Sequence, residues 1–85
     1  MASYRLRIKP SAVKELEAVA KKDRQRIVSK IAGLASEPRP PGAEKLSGQE
    51  KYRLRHGDYR VLYAVDDDDT PVVVVKIGHR REVYR

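Results

Sequence analysis

YRLRHGDYRVLY, Tyr52 to Tyr63, is the stretch on which the fold turns. Before Gly57-Asp58, Tyr52 and Leu54 alternate with Arg53 and Arg55; after it, Tyr59, Val61 and Tyr63 alternate with Arg60 and Leu62. A period of two marks half-buried strands, and Gly-Asp between two such runs marks a hairpin turn. The strands are predicted over Lys51 to His56 and Tyr59 to Val65, and a further strand over Val72 to Gly78 follows a second turn at Asp67 to Pro71. Connections this short force antiparallel pairing. Val72 to Ile77 is apolar on both faces, which places it centrally in the sheet. DDDD at 66–69 reads as a solvated hairpin tip.

Working back from the hairpin, EPRPPGAEKLSGQE at 37–50 is rich in Pro and Gly and reads as an irregular surface loop. Two amphipathic helices are predicted ahead of it. Ser11 is the expected cap of the first, with Val13, Leu16, Val19 and Ala20 on its apolar side; Asp23 is the expected cap of the second, with Ile27, Val28, Ile31, Leu34 and Ala35 as a broad stripe. Only Lys21 and Lys22 separate them, so an antiparallel helical hairpin is expected, ending at Glu37-Pro38. At the start, Ser3 to Lys9 alternates again, Tyr4, Leu6 and Ile8 against Arg5, Arg7 and Lys9, until Pro10 stops the strand; this strand is free to join either sheet edge. The prediction is an α+β fold, a small, mostly antiparallel four-stranded sheet with a helical hairpin on one face, in the order β-α-α-β-β-β.

Composition narrows the function. Eighty-five residues make one domain, 1–85, too small for a large internal pocket. Cysteine is absent and only two histidines are present, which removes disulfides, thiolate chemistry and a self-contained metal site. No apolar run has the length of a signal peptide or a membrane span, so a cytoplasmic protein with no membrane partner is expected. The net charge of +7 points to an anionic partner.

Strand alternation sharpens that charge. Arg53, Arg55 and Arg60 fall on the sheet face away from the helices, and the last strand delivers His79, Arg80, Arg81, Tyr84 and Arg85 near it. Guanidinium forks match phosphate geometry and keep their charge, while a tyrosine ring can stack on an unpaired base. The combination suits single-stranded RNA, with Lys51, Arg81 and Arg85 as further contacts. Lys14, Lys21, Lys22, Arg24, Arg26 and Lys30 form a wet helix face that could also touch a large nucleic-acid scaffold. Tyr52, Tyr59 and Tyr63 are expected in the core, and His56 at the surface beside the turn.

The paired motifs YRLRHGDYRVLY and GHRREVYR, Gly78 to Arg85, together with the element order, resemble the RelE family of toxin–antitoxin ribonucleases over essentially the whole chain. The resemblance implies a RelE-like fold and an endoribonuclease that enters the ribosomal decoding site and cuts mRNA there. The 2′-hydroxyl would attack, leaving a 2′,3′-cyclic phosphate and a 5′-hydroxyl, with no metal and no cofactor. It also implies mRNA, the ribosome with its rRNA, and a cognate antitoxin as partners, in a heteromeric complex formed by an otherwise monomeric toxin. By motif position Arg53, Arg55, Arg60, Arg80 and Tyr84 are the implied catalytic residues: Arg60 with Arg53 on the phosphate, Arg80 at the leaving oxygen, Tyr84 on the base. Well-known members carry lysines at the positions of Arg53 and Arg55, and a guanidinium does not readily give up its proton. His79 is therefore the candidate acid/base residue, alongside the RNA or the ribosome. Two other classes stay open: a ParE-like toxin that inhibits DNA gyrase without chemistry, and an RNA- or ribosome-binding module without catalysis.

Overall fold

The computed structural model describes residues 4–46, 51–65 and 71–83. Its elements are β1 (Arg5–Ile8), α1 (Pro10–Glu17), α2 (Lys21–Gly33), β2 (Glu44–Lys45), β3 (Lys51–His56), β4 (Tyr59–Val65) and β5 (Pro71–His79). Tyr84, Arg85, Ser3 and the aspartate tract lie outside the described residues.

Pro10 ends the first strand and also opens α1, because its fixed φ suits the first helical position and it has no N–H to satisfy. Lys9, extended at φ −60 and ψ 144, is the N-cap in place of the expected Ser11, and its carbonyl accepts from Val13 N at 3.0 Å. Asp23 does not cap α2 either. That helix starts three residues earlier, with Ala20 as N-cap, and Asp23 sits in its first turn, where a carboxylate favours the helix dipole. The chain between the helices is therefore 18–20, not Lys21-Lys22. Ala12, Leu16 and Val19 from the first helix region and Ile27, Ile31 and Leu34 from the second are buried, whereas Val13 and Val28 stay exposed.

The sheet has five strands in the order β1-β5-β4-β3-β2. The added strand is β2, from the stretch expected to be loop: Glu44 pairs with Arg53 and Lys45 with Tyr52. Two charged residues carry no apolar alternation, so nothing local announced it. The edge left open for β1 is settled by parallel pairing with β5, Leu6 opposite Val72 and Ile8 opposite Val74. The helical hairpin supplies the crossover that parallel neighbours require. β1 stops there, and Glu15 of α1 takes over the exposed edge of β5 by accepting from Ile77 N at 3.1 Å.

Tyr52, Leu54, Val61, Tyr63, Val65, Val72, Val74 and Ile77 face the helices and join their apolar residues in one core. Tyr52 and Tyr63 are stacked 5.6 Å apart, and the buried Tyr63 hydroxyl donates to the Pro38 carbonyl at 2.8 Å. Arg39 Nε donates to Tyr52 Oη at 2.7 Å, with its guanidinium 5.3 Å from the ring centre. The Pro-rich segment after α2 is thereby tied to the sheet. Among the described residues no buried side-chain nitrogen or oxygen lacks a partner.

Candidate nucleic-acid interface

Residues directly opposite in register share a face. Arg55 is opposite Arg60, Arg53 is opposite Leu62 and Lys51 is opposite Ala64, all away from the buried Tyr52, Leu54, Val61 and Tyr63. Across β5, Arg60 meets Gly78, and at the far edge Arg7 of β1 meets Val73. The predicted grouping of Arg53, Arg55 and Arg60 is thus what the register produces, with Arg7 on the same face.

The Gly57-Asp58 turn organises the site. Gly57 adopts φ 55, a left-handed conformation that favours glycine. Arg60 folds back over the turn, one guanidinium nitrogen donating to the carbonyls of Gly57 at 2.9 Å and Tyr59 at 3.0 Å. Arg80 is brought to the same turn from the end of β5: its N–H donates to the Asp58 carbonyl at 2.7 Å, and its Nε lies 3.9 Å from Asp58 Oδ1. Arg53 pairs with the Glu44 carboxylate on β2. Beyond Arg80 the chain turns back through Glu82 N and Val83 N donating to the His79 carbonyl. Val83 Cγ2 would lie 3.4 Å from a Cβ at position 78, so glycine there gives the returning turn room.

His79 does not join the arginines. It is opposite Tyr59, with the rings edge to face at 6.0 Å, and both stand on the side opposite Arg60. Its Nδ1 accepts from Arg81 N at 3.3 Å, and its ring lines an open cleft of about 440 Å³ with Glu15, Lys76 and Glu82. His56 is also misplaced by sequence reasoning. It is half-buried, with Nε2 at 3.1 Å from Asp23 Oδ1, because the end of β3 passes under α2. Beside it Lys30 Nζ donates to the Arg55 carbonyl at 3.0 Å. Arg24 links the helices by donating to the Glu17 carbonyl at 3.2 Å. Lys14, Lys21, Lys22 and Arg26 are exposed on the helical layer, so the helix cations and the sheet arginines form two separate basic surfaces. Arg81 is exposed on the terminal turn and Lys51 at the start of β3. Among the described residues no three His, Asp or Glu side chains converge as metal ligands.

The family model for the ParE toxin of the type II toxin–antitoxin system parDE matches residues 6–84. The RelE toxin of Mycobacterium tuberculosis is 34% identical over 80 residues, 82% of either chain. The chain is a RelE-family toxin of the RelE/ParE superfamily. Two solved structures extend the likeness through the fold. The RelE–RelB complex of Pyrococcus horikoshii OT3 matches at 30% identity and a TM-score of 0.80, covering 94% of this chain and 98% of that one. The RelBE2 complex of M. tuberculosis matches at 27% identity and 0.78, covering 92% and 99%. This RelE-family toxin thus carries its arginines on the open face of a sheet shared with those structures. The glycine-aspartate turn that gathers Arg60 and Arg80, and the carboxylate of Glu44, are features that its motif spacing alone did not reveal.

Proposed function

We propose that this RelE-family toxin is a metal-independent endoribonuclease that cleaves mRNA in the ribosomal A site and so inhibits translation. The carrying observation is the pairing of Arg55 opposite Arg60 with Arg80 tethered to the intervening turn. Three guanidiniums around one turn match a phosphodiester whose non-bridging oxygens gain charge as the 2′-hydroxyl attacks. Arg60 and Arg53 hold that phosphate, Arg55 supports them, and Arg80 stabilises the departing 5′-oxygen. Tyr84 orients the base. His79 takes no part in proton transfer, because it faces the opposite side and uses Nδ1 to hold the terminal turn; a group of the RNA or the ribosome takes the 2′-hydroxyl proton as the new bond to phosphorus forms, and solvent water protonates the 5′-oxygen as its bond to phosphorus breaks. An open sheet face lacks walls of its own, and the ribosome provides them. Lys51, Arg81, Arg85 and the exposed helix cations Lys14, Lys21, Lys22 and Arg26 serve as RNA and ribosome contacts, whereas Arg24 and Lys30 are engaged within the fold on the Glu17 and Arg55 carbonyls.

The cognate partner is a small antitoxin that covers this basic face, in line with the RelB chains named in the two solved complexes. The toxin is monomeric when free, heteromeric with its antitoxin, and works in the cytoplasm. Primer extension on programmed ribosomes tests the activity: new 5′-hydroxyl ends in the decoding site are expected, unchanged by a chelator. Intact message at every toxin concentration would sink the proposal. The parDE description of the matching family model favours a second reading, inhibition of DNA gyrase without catalysis. Gyrase-cleaved DNA accumulating while message stays intact would establish it instead.

A further inference from the structure

We propose that Glu44 and Asp58 are specificity-setting carboxylates of the arginine face: they occupy Arg53 and Arg80 in the free toxin and yield them to RNA phosphates on binding. The inference rests on the RNA-cleaving reading above. Glu44 reaches Arg53 because β2 adds to the edge of β3 in the register that puts the two residues opposite each other. Asp58 reaches Arg80 through the turn, its carboxylate 3.9 Å from Nε while its carbonyl independently accepts the Arg80 N–H at 2.7 Å. Backbone thus places Arg80 and the carboxylate tempers its charge. Arg60 is engaged likewise on the carbonyls of Gly57 and Tyr59.

A single phosphate cannot replace all of these partners at once. Each exchange sets a phosphate beside a displaced carboxylate, and like charges oppose it. An RNA backbone that meets several arginines together overcomes the opposition, whereas a lone phosphate or a mononucleotide does not. The carboxylates therefore reserve the face for a chain of phosphates. Glu44 has the stronger effect, because Arg53 is less exposed than Arg80, 30% and 55% being the respective side-chain exposures.

The test is fluorescence anisotropy of the full chain with a labelled twelve-nucleotide RNA bearing 2′-O-methyl sugars, which removes the nucleophile and uncouples binding from cleavage. Wild type, Glu44→Gln, Asp58→Asn and a charge control, Glu17→Gln on the helical layer, are compared at low and moderate salt. Glu44→Gln is expected to bind about 3- to 10-fold more tightly at low salt and Asp58→Asn about 2-fold. The gain shrinks with salt, and the slope of log K against log salt steepens relative to wild type. Adenosine monophosphate is expected to compete more effectively against Glu44→Gln than against wild type. Affinity and slope equal to wild type, or a gain no larger than that of Glu17→Gln, would overturn the inference while leaving the nuclease reading intact. RNA binding by none of the four proteins would likewise overturn the inference, whereas the nuclease reading falls only if message on programmed ribosomes stays intact. Both carboxylates are more than half exposed, so the variants keep the wild-type thermal melt, and asparagine suits the turn at 58.

Discussion

One sheet carries two surfaces of opposite character, and they alternate residue by residue. Along β3, Tyr52 and Leu54 are buried under the helices while Arg53 and Arg55 stand on the other side; along β4, Val61 and Tyr63 are buried while Arg60 stands with the arginines. The helix-covered face is apolar and its described buried side-chain polar atoms are paired; the open face is cationic and holds arginines on carbonyls and exposed carboxylates. A two-residue period therefore lets stability and chemistry occupy the same strands with little overlap. Substitutions should separate along that line.

The largest effect is expected on the covered face. Ile31, 2% exposed on α2, fills space against the sheet, and Ile31→Ala should cost about 2 to 5 kcal/mol in urea unfolding. A loss under about 1 kcal/mol would mean that the helical layer is not what holds the sheet. The open face should show the reverse pattern. Arg60→Ala removes a guanidinium that donates to the carbonyls of the turn. It should lower the single-turnover cleavage rate on ribosomes by about 10²- to 10³-fold and shift the unfolding midpoint by no more than ordinary surface substitutions do. Equal damage to folding and to cleavage would dissolve the distinction between the faces.

That distinction was legible in Tyr52 to Tyr63, because alternation of Tyr, Leu and Val with Arg is a local signal and register only had to preserve it. Pairing decided what alternation could not. His79 lies beside Arg80 in the chain, yet its register with Tyr59 puts it on the covered side. β2 was hidden because Glu44-Lys45 has neither apolar period nor β-branched residues, and its only signal is tertiary pairing to β3. The contacts of Glu44 with Arg53 and of Asp23 with His56 join residues 9 and 33 positions apart. Composition cannot foretell such contacts. Both helix starts were misplaced by the preference for a Ser or Asp cap, which Pro10 made unnecessary in α1 and which a backbone N-cap at Ala20 replaced in α2.

Tyr63 sharpens the comparison through pH. Burial raises its hydroxyl from 10.0 to about 12, Tyr52 adds to the rise and Arg39 opposes it. Below pH 10 the contribution of Tyr63 is constant. Between about pH 10 and 12 the unfolded chain gives up this proton while the folded chain keeps it, so stability falls as pH rises, by roughly 2 kcal/mol across the window. Tyr63→Phe should lose about 1 kcal/mol at neutral pH, since the Pro38 carbonyl loses its donor, and should unfold with a shallower alkaline slope than wild type. Equal slopes would show that this hydroxyl is not held neutral by the core.

The smallest effect is expected where the two surfaces meet. At the end of β3 the helical layer grips the strand that carries Arg55, through Lys30 on the Arg55 carbonyl and Asp23 on His56. These contacts are partly exposed, so Lys30→Met and Asp23→Asn should each cost less than about 1 kcal/mol in stability. Neither side chain lies on the open face, and neither would touch RNA there. Their grip fixes the strand from below, and loosening it lets Arg55 drift relative to Arg60. The combined variant should therefore raise the ribosome concentration needed for half-maximal cleavage about 2- to 5-fold, with the rate at saturation held within about 2-fold. A drop in the saturated rate with unchanged half-saturation would instead place Lys30 or Asp23 in the chemistry, and the two surfaces would no longer be separable at this end of the sheet.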